Sequence, residues 1–237
     1  MTNQNLQFPR FYVTAPAPCP YLADKVERKV FTELLGSDSA NVNEALSKIG
    51  FRRSQSVAYR PACENCGACI SVRVVAKKFQ PTKSQKRVLK NNGDIISIVV
   101  PAKITGEHYD LLAAYLSARH HDGSMADMTM EDFTDMVETT TVDTVLIEYR
   151  HRLDKSLIGL ALTDDHSDGL SMVYSLFDPK ESKRSFGTYM ILDHIDRTAK
   201  LMKPYVYLGY WIEKSRKMSY KDKFQPLEKL GPDGWYL

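Results

Sequence analysis

Five consecutive residues, Arg184-Ser185-Phe186-Gly187-Thr188, bring a guanidinium, two hydroxyls and a glycine together just ahead of the apolar series Tyr189, Ile191, Leu192 and Ile195. That series has helical spacing and predicts a helix over 184–202. The amides at a helix N-terminus lack intrahelical partners and carry partial positive charge, so they attract anions. A glycine there lets a second backbone come close. The same residues also fit a structural role, with Ser185 capping the helix and Gly187 relieving packing. Asp178 ends the strand-like run that feeds this loop, placed to accept a proton. Asp178-Pro179 is equally turn chemistry.

Tyr174 lies on that run, and Tyr205, Tyr207, Tyr210 and Trp211 lie on a later one. Such side chains line a substrate cavity, stack a base or fill a core. Gly209 predicts a bulge, which decides which of them share a face. The stretch from Lys214 to Lys221 then mixes cations, hydroxyls and an aromatic at a strand end, a position suited to a ligand. A second basic run, Lys77, Lys78, Lys83, Lys86, Arg87 and Lys90, fits phosphate contact or plain solvation. Cys63, Cys66 and Cys69 repeat Cys-x-x-Cys spacing, and Cys19 could add a fourth thiolate for zinc or an iron–sulfur cluster. Reduced thiols packed near a substrate channel, or sensing oxidation, fit the same spacing.

These residues need elements to hold them. Apolar spacing predicts helices over 22–35, 43–49, 107–119 and 125–137, the last with three methionines as core filler. Strand patterns cover 51–59, 70–79 and 95–100, with a turn at Asn92-Gly93. The runs 145–149, 156–163 and 169–177 form an antiparallel meander, and 205–212 is a final strand. The chain of 237 residues is 43% hydrophobic, enough for one large domain or two small ones. Its 32 basic and 29 acidic residues leave a net charge of +3, so nucleic-acid binding must come from local clustering. No segment approaches the roughly 20 apolar residues that span a bilayer, and Met1 to Phe11 lack a signal-peptide pattern. A soluble, cytoplasmic protein is expected, with neither membrane nor DNA as a partner.

Phe177-Asp178-Pro179, Arg184 to Tyr189, Tyr207 to Ile212 and Lys217-Met218-Ser219-Tyr220-Lys221 occur in an order and spacing that resembles the arginyl/leucyl aminoacyl-tRNA protein transferases. Tyr59-Arg60-Pro61 leading into Cys63, Cys66 and Cys69, together with Ser84-Gln85-Lys86-Arg87, resembles that family's N-terminal domain. Within the family the chain most resembles the bacterial leucyl branch. That branch moves leucine from leucyl-tRNA to proteins beginning with Asp or Glu, marking them for degradation in the N-degron pathway. The resemblance implies an α+β fold, with a GNAT-like C-terminal domain over 101–237 and a smaller α/β cysteine-containing domain over 1–100. Three positions depart from the pattern. Cys19-Pro20-Tyr21-Leu22 lacks a second cysteine, Ala23-Asp24-Lys25 replaces a Pro-Gly-basic turn, and Phe186 replaces leucine.

An aminoacyl ester is already activated, so the implied chemistry is aminolysis and requires no cofactor. Positioning and oxyanion stabilisation dominate, with Asp178 or Tyr210 as the proton acceptor. Arg60, Arg184, Lys217 and Lys221 are the cations that could read an acidic acceptor residue. The wider substrate-binding set adds Tyr174, Ser185, Gly187, Thr188, Tyr207, Trp211 and Tyr220. Competing readings are an arginyl donor, an acyl-CoA-dependent GNAT enzyme, and a non-catalytic metal-containing RNA-binding module.

Overall fold

The computed structural model describes residues 9–119 and 127–237. Residues 1–8, for which no targeting pattern is predicted, and the start of the helix expected over 125–137 lie outside them. The N-terminal strands are β1 (Tyr12–Val13), β2 (Ala17–Pro18), β3 (Val26–Glu27), β4 (Lys29–Glu33), β5 (Arg52–Ser54) and β6 (Val57–Pro61), with helix α1 (Ser39–Lys48) between β4 and β5. Then follow β7 (Ile70–Val75), α2 (Lys83–Asn91), β8 (Ile95–Pro101), α3 (Gly106–Arg119), α4 (Met130–Glu138), β9 (Thr144–His151), β10 (Leu157–His166) and β11 (Gly169–Phe177). The chain ends with α5 (Phe186–Lys200), β12 (Tyr205–Trp211), β13 (Leu227–Gly231) and β14 (Gly234–Tyr236).

The expected helix over 22–35 is corrected to β3 and β4. Val30, Phe31 and Thr32 are β-formers, and β4 pairs along its whole length with β6, from Lys29↔Pro61 to Glu33↔Val57. Sheet pairing overrides an apolar spacing that also suits a helix. The strand expected over 51–59 is a hairpin that turns at Gln55, whose φ is 54°. The basic run near residue 80 is largely α2, started by a reciprocal capping box between Thr82 and Gln85. The meander, the helix and the aromatic strand are found where the sequence puts them, within two or three residues at their ends.

Eight strands form one mixed sheet in the order β14-β13-β7-β12-β11-β10-β9-β8. β7, which precedes residue 100, pairs antiparallel with β12, so both expected halves of the chain contribute to this sheet. On one face Val72, Val74, Val206, Leu208 and Trp211 pack under Ile191, Leu192 and Ile195 of α5. On the other, Leu146, Leu160, Leu162 and Leu176 pack under Leu111, Leu112 and Leu116 of α3 and Phe133 and Val137 of α4. A separate sheet, β1-β4-β6-β5, is tied to the large one through Arg53. The Arg53 guanidinium donates to both oxygens of Asp164 at 2.7 and 2.6 Å, and both side chains are 1% exposed. Thr144 Oγ1 and Asn43 Nδ2 complete the hydrogen bonding of that carboxylate, which a buried ion pair needs to repay its desolvation.

Among the described residues, no helix is long and apolar enough to cross a membrane.

Candidate functional site

Strands β11 and β12 are parallel, and their pairing lasts three residues: Gly169↔Tyr205, Leu170↔Val206 and Ser171↔Tyr207. They meet tightly, since a Cβ on Gly169 would stand 2.2 Å from the Tyr205 carbonyl oxygen. Beyond Ser171, β11 continues with β10 as far as Phe177, and β12 continues with β7 as far as Trp211. The two strands therefore part, and peptide groups along both inner edges lose their ladder partners.

Two cations fill the gap. Arg52, from β5, donates to the Met172 carbonyl at 2.5 Å and reaches Ser171 Oγ at 3.4 Å. Lys221 donates from Nζ to the Tyr210 carbonyl at 2.6 Å, with Met218 Sδ at 3.8 Å. Each cation thus satisfies one carbonyl left by the divergence. Lys221 is 7% exposed; burial, reinforced by the neighbouring Arg52 guanidinium, pulls its amine down to about 7.

Gly209 makes this possible. Its φ of +78° lies in the left-handed region, and a Cβ there would be 2.8 Å from Arg52 Nε. The expected bulge sits between Tyr207 and Gly209 on the β7 side. It resets the alternation: Val206, Leu208 and Trp211 share the α5 face, and Tyr210 turns instead toward the N-terminal hairpin.

Tyr174, Tyr220 and Tyr115 edge the gap from the α3 side. Packing around their hydroxyl ends, with Tyr115 close to both, pushes Tyr174 and Tyr220 above the usual phenol range. Tyr220 stands at the rim, 39% exposed. The loop after β11 climbs through a short 3-10 turn, Pro179–Arg184, to Ser185, which takes a left-handed φ of 55° and makes no side-chain cap to α5. The capping role expected of Ser185 is therefore absent, and among the described residues no side chain accepts from the first α5 amides. A Cβ on Gly187 would touch only Phe177, at 3.6 Å, so packing does not demand glycine there. Thr188 is bound through its own N–H to the Ser185 carbonyl.

Most other sequence-expected residues have partners of their own. Asp178 caps the 3-10 turn, its Oδ1 accepting from the Lys180 amide at 2.9 Å. The Tyr210 hydroxyl donates toward the Gly50 and Tyr59 carbonyls at 3.0 and 3.2 Å, and burial raises its pKa far above the usual phenol value. Arg184 is locked on both oxygens of Asp94, at 2.6 and 2.7 Å, with Glu181 at 3.3 Å. Tyr207 lies at the paired end of β12, donating to Asp168 at 2.9 Å and accepting from Arg73 at 3.2 Å. Trp211 donates to the Ser219 carbonyl and carries Lys229 Nζ 3.9 Å above its ring. Arg60 lies over Phe51 and donates to Ile49 at 3.3 Å, behind Tyr210. Lys217 is exposed, with no ion pair among the described residues.

The four cysteines are free and half-buried. Burial, together with nearby Cys19, Cys63 and Cys66, raises the Cys69 thiol to about 11. Yet among the described residues no three His, Cys, Asp or Glu side chains are arranged to hold a metal ion, so the zinc or iron–sulfur expectation finds no ligand geometry. Beside them, Leu22, Lys25, Cys66 and Trp211 line a cavity of about 510 Å³.

Arg52 was not among the sequence candidates. The signal was Arg52-Arg53: in a strand, adjacent residues face opposite ways, so two arginines beside a core cannot both reach water.

The arginine-tRNA-protein transferase C-terminal model matches residues 107–231 and its N-terminal model residues 17–87. Proteins named aspartate/glutamate leucyltransferase align over nearly the whole chain. One from Sphingopyxis alaskensis is 58% identical over 97% of this chain and 91% of its own length. One from Parvibaculum lavamentivorans is 56% identical over 99% and 98%. Among solved structures, the C-terminal domain of a putative lysylphosphatidylglycerol synthetase from Agrobacterium fabrum is similar at 12% identity, over 61% of this chain and 47% of that one, with a TM-score of 0.47. At that level the likeness says nothing about activity. The two family models and the end-to-end relatives establish that this chain is an aminoacyltransferase belonging to the arginine-tRNA-protein transferase family.

Proposed function

We propose that the gap between β11 and β12 is where leucine passes from leucyl-tRNA to the α-amine of a protein beginning with Asp or Glu, marking that protein for degradation. Leucine and the acidic acceptor come from the names of the aligned relatives, and the tRNA carrier from the family description. The observation that carries the site is Lys221: a buried amine titrating near 7, held between two diverging strands.

The reaction needs such a group. An acceptor α-ammonium, with a pKa of about 7.7–8.0, must lose a proton before nitrogen attacks the ester carbonyl. The C–N bond forms, the tetrahedral species collapses, and the ribose oxygen leaves needing a proton. Neutral Lys221 takes the first proton and returns one to the leaving oxygen. Arg52, fixed on Met172, keeps a positive charge beside the developing oxyanion. The α5 N-terminus favours the phosphate of the terminal nucleotide. Tyr174, Tyr115 and Tyr220 offer the leucine side chain an apolar wall. Arg60 and Lys217 are the remaining cations for the acidic acceptor side chain, since Arg184 is already neutralised by Asp94.

The brief parallel pairing and divergence of β11 and β12 supports a GNAT-like arrangement for 101–237, to which 1–100 adds β7 in the large sheet and Arg52 from the smaller one. The test offers leucyl-tRNA and arginyl-tRNA in parallel to peptides beginning Asp, Glu and Asn. A product heavier by one leucyl residue, on Asp and Glu peptides only, is expected. An arginyl product or no product overturns it.

A further inference from the structure

From Asn65 to Gly93 the chain contains seven Lys or Arg and no Asp or Glu, although the whole protein is only +3. Arg73 is paired with Glu228. The other six, Lys77, Lys78, Lys83, Lys86, Arg87 and Lys90, are exposed, and none has an ion pair among the described residues. Arg184, by contrast, is neutralised by Asp94, and Arg150 by Glu107 and Glu148.

On α2 the positions 83, 86, 87 and 90 fall on one helical face, opposite the buried Gln85 and half-buried Val88. Four positive charges thus form a stripe about 10 Å long. The helix is clamped at both ends to the walls of the transfer site. Gln85 Nε2 donates to the Lys223 carbonyl at 3.0 Å, two residues beyond Lys221. Asn92 Nδ2 donates to the Arg184 carbonyl at 3.1 Å, directly before Ser185 and α5. A solvating helix needs neither the charge segregation nor the two anchors.

We propose that this face of α2, with Lys77 and Lys78 of the preceding turn, is the docking surface for the sugar-phosphate backbone of the donor tRNA. It holds the tRNA body while the aminoacylated end enters the gap. The proposal rests on the aminoacyl-tRNA reading of the site. Phosphate binding of this kind adds affinity without sequence preference and is weakened by salt.

The test compares wild type with K83E/K86E/R87E/K90E, and with the milder K83Q/K86Q/R87Q/K90Q, on two donors: full leucyl-tRNA and a leucylated adenosine too short to reach α2. We expect KM for leucyl-tRNA to rise about tenfold or more in the Glu variant and less in the Gln variant. The slope of log KM against log salt should fall by about 0.7–0.9 for each phosphate that the protein no longer neutralises. Rates on leucyl-adenosine and KM for the acceptor peptide should not change. Unchanged KM and salt slope in both variants overturns the proposal, as does an equal loss on leucyl-adenosine by the Gln variant. So does loss of binding to anionic lipid vesicles with tRNA binding intact. If wild type transfers nothing from leucyl-tRNA, the functional reading fails instead, and tRNA retention on filters still tests the surface.

Discussion

Replacing Lys221 separates its chemistry from its packing. Its amine is drawn from the ordinary 10.5 to about 7, which corresponds to roughly 4–5 kcal/mol against burying the ammonium form. The sign follows. Between about pH 7 and 10.5 the unfolded chain holds this proton and the native chain does not, so native stability rises with pH, by about 1.4 kcal/mol per pH unit from this group. Below pH 7 both states hold it, and its penalty is fully present. Lys221→Met keeps the stem and removes the charge, so urea unfolding at pH 6 should find the variant up to about 4 kcal/mol more stable, without the rise between pH 7 and 9. Single-turnover transfer from labelled leucyl-tRNA to an Asp-starting peptide reads the chemistry. Wild-type rate should climb through pH 7. Lys221→Met should lose about 10²–10⁴-fold at pH 8, and so should Lys221→Arg, because a guanidinium does not give up its proton. An Arg variant at wild-type rate, or a Met variant with the wild-type dependence of stability on pH, would refute the reasoning.

Three further outcomes follow from the fold. Gly209→Ala forces a side chain into a φ of +78° against the clamped Arg52; urea melts should show a loss of about 1–3 kcal/mol, and transfer should fall with it. Arg53→Ala strands Asp164, 1% exposed, without its guanidinium, and should cost about 3–5 kcal/mol, whereas Arg53→Met with Asp164→Leu should cost clearly less; equal losses would show that burial of the charge is not the cause. Burial would raise Glu44, but hydrogen bonds from Lys48 and Ser167 hold it down at about 2 from the usual 4.5. Its contribution is present above pH 4.5 and lost as pH falls toward 2, so Glu44→Gln should flatten acid unfolding by about 1 kcal/mol after solvent screening.

The carrier loop, α5 and the aromatic strand were legible because each has a local signature: helical periodicity after Arg184, strand alternation up to Tyr207, and a glycine where the alternation breaks. Lys221 was legible as a cation in a motif but not as a buried one, because its burial depends on the Tyr210 carbonyl and on Arg52, 169 positions away in sequence. The pair Arg52-Arg53 marks one arginine as turned inward, but not what Arg52 does there. Its role exists only because β11 and β12 diverge, a property of pairing between distant segments. Residues 22–35 misled for the opposite reason, since Val26, Val30, Phe31 and Leu34 satisfy helical spacing while β6 supplies a pairing edge no window contains. Asp178 and Tyr210 suit proton transfer by chemical type and place, while the hydrogen bonds they make, one Asp178 oxygen with a turn amide and the Tyr210 hydroxyl with two carbonyls, depend on the folded chain.

The most direct measurement is a crystal structure with a non-hydrolysable leucyl-adenosine, the ester oxygen replaced by nitrogen. The leucyl carbonyl is expected between β11 and β12, with Lys221 Nζ within about 3 Å of the reacting atoms and the leucine side chain against Tyr174 and Tyr220. An analogue seated in the cavity of about 410 Å³ between α2 and α5, away from Arg52 and Lys221, would contradict the account.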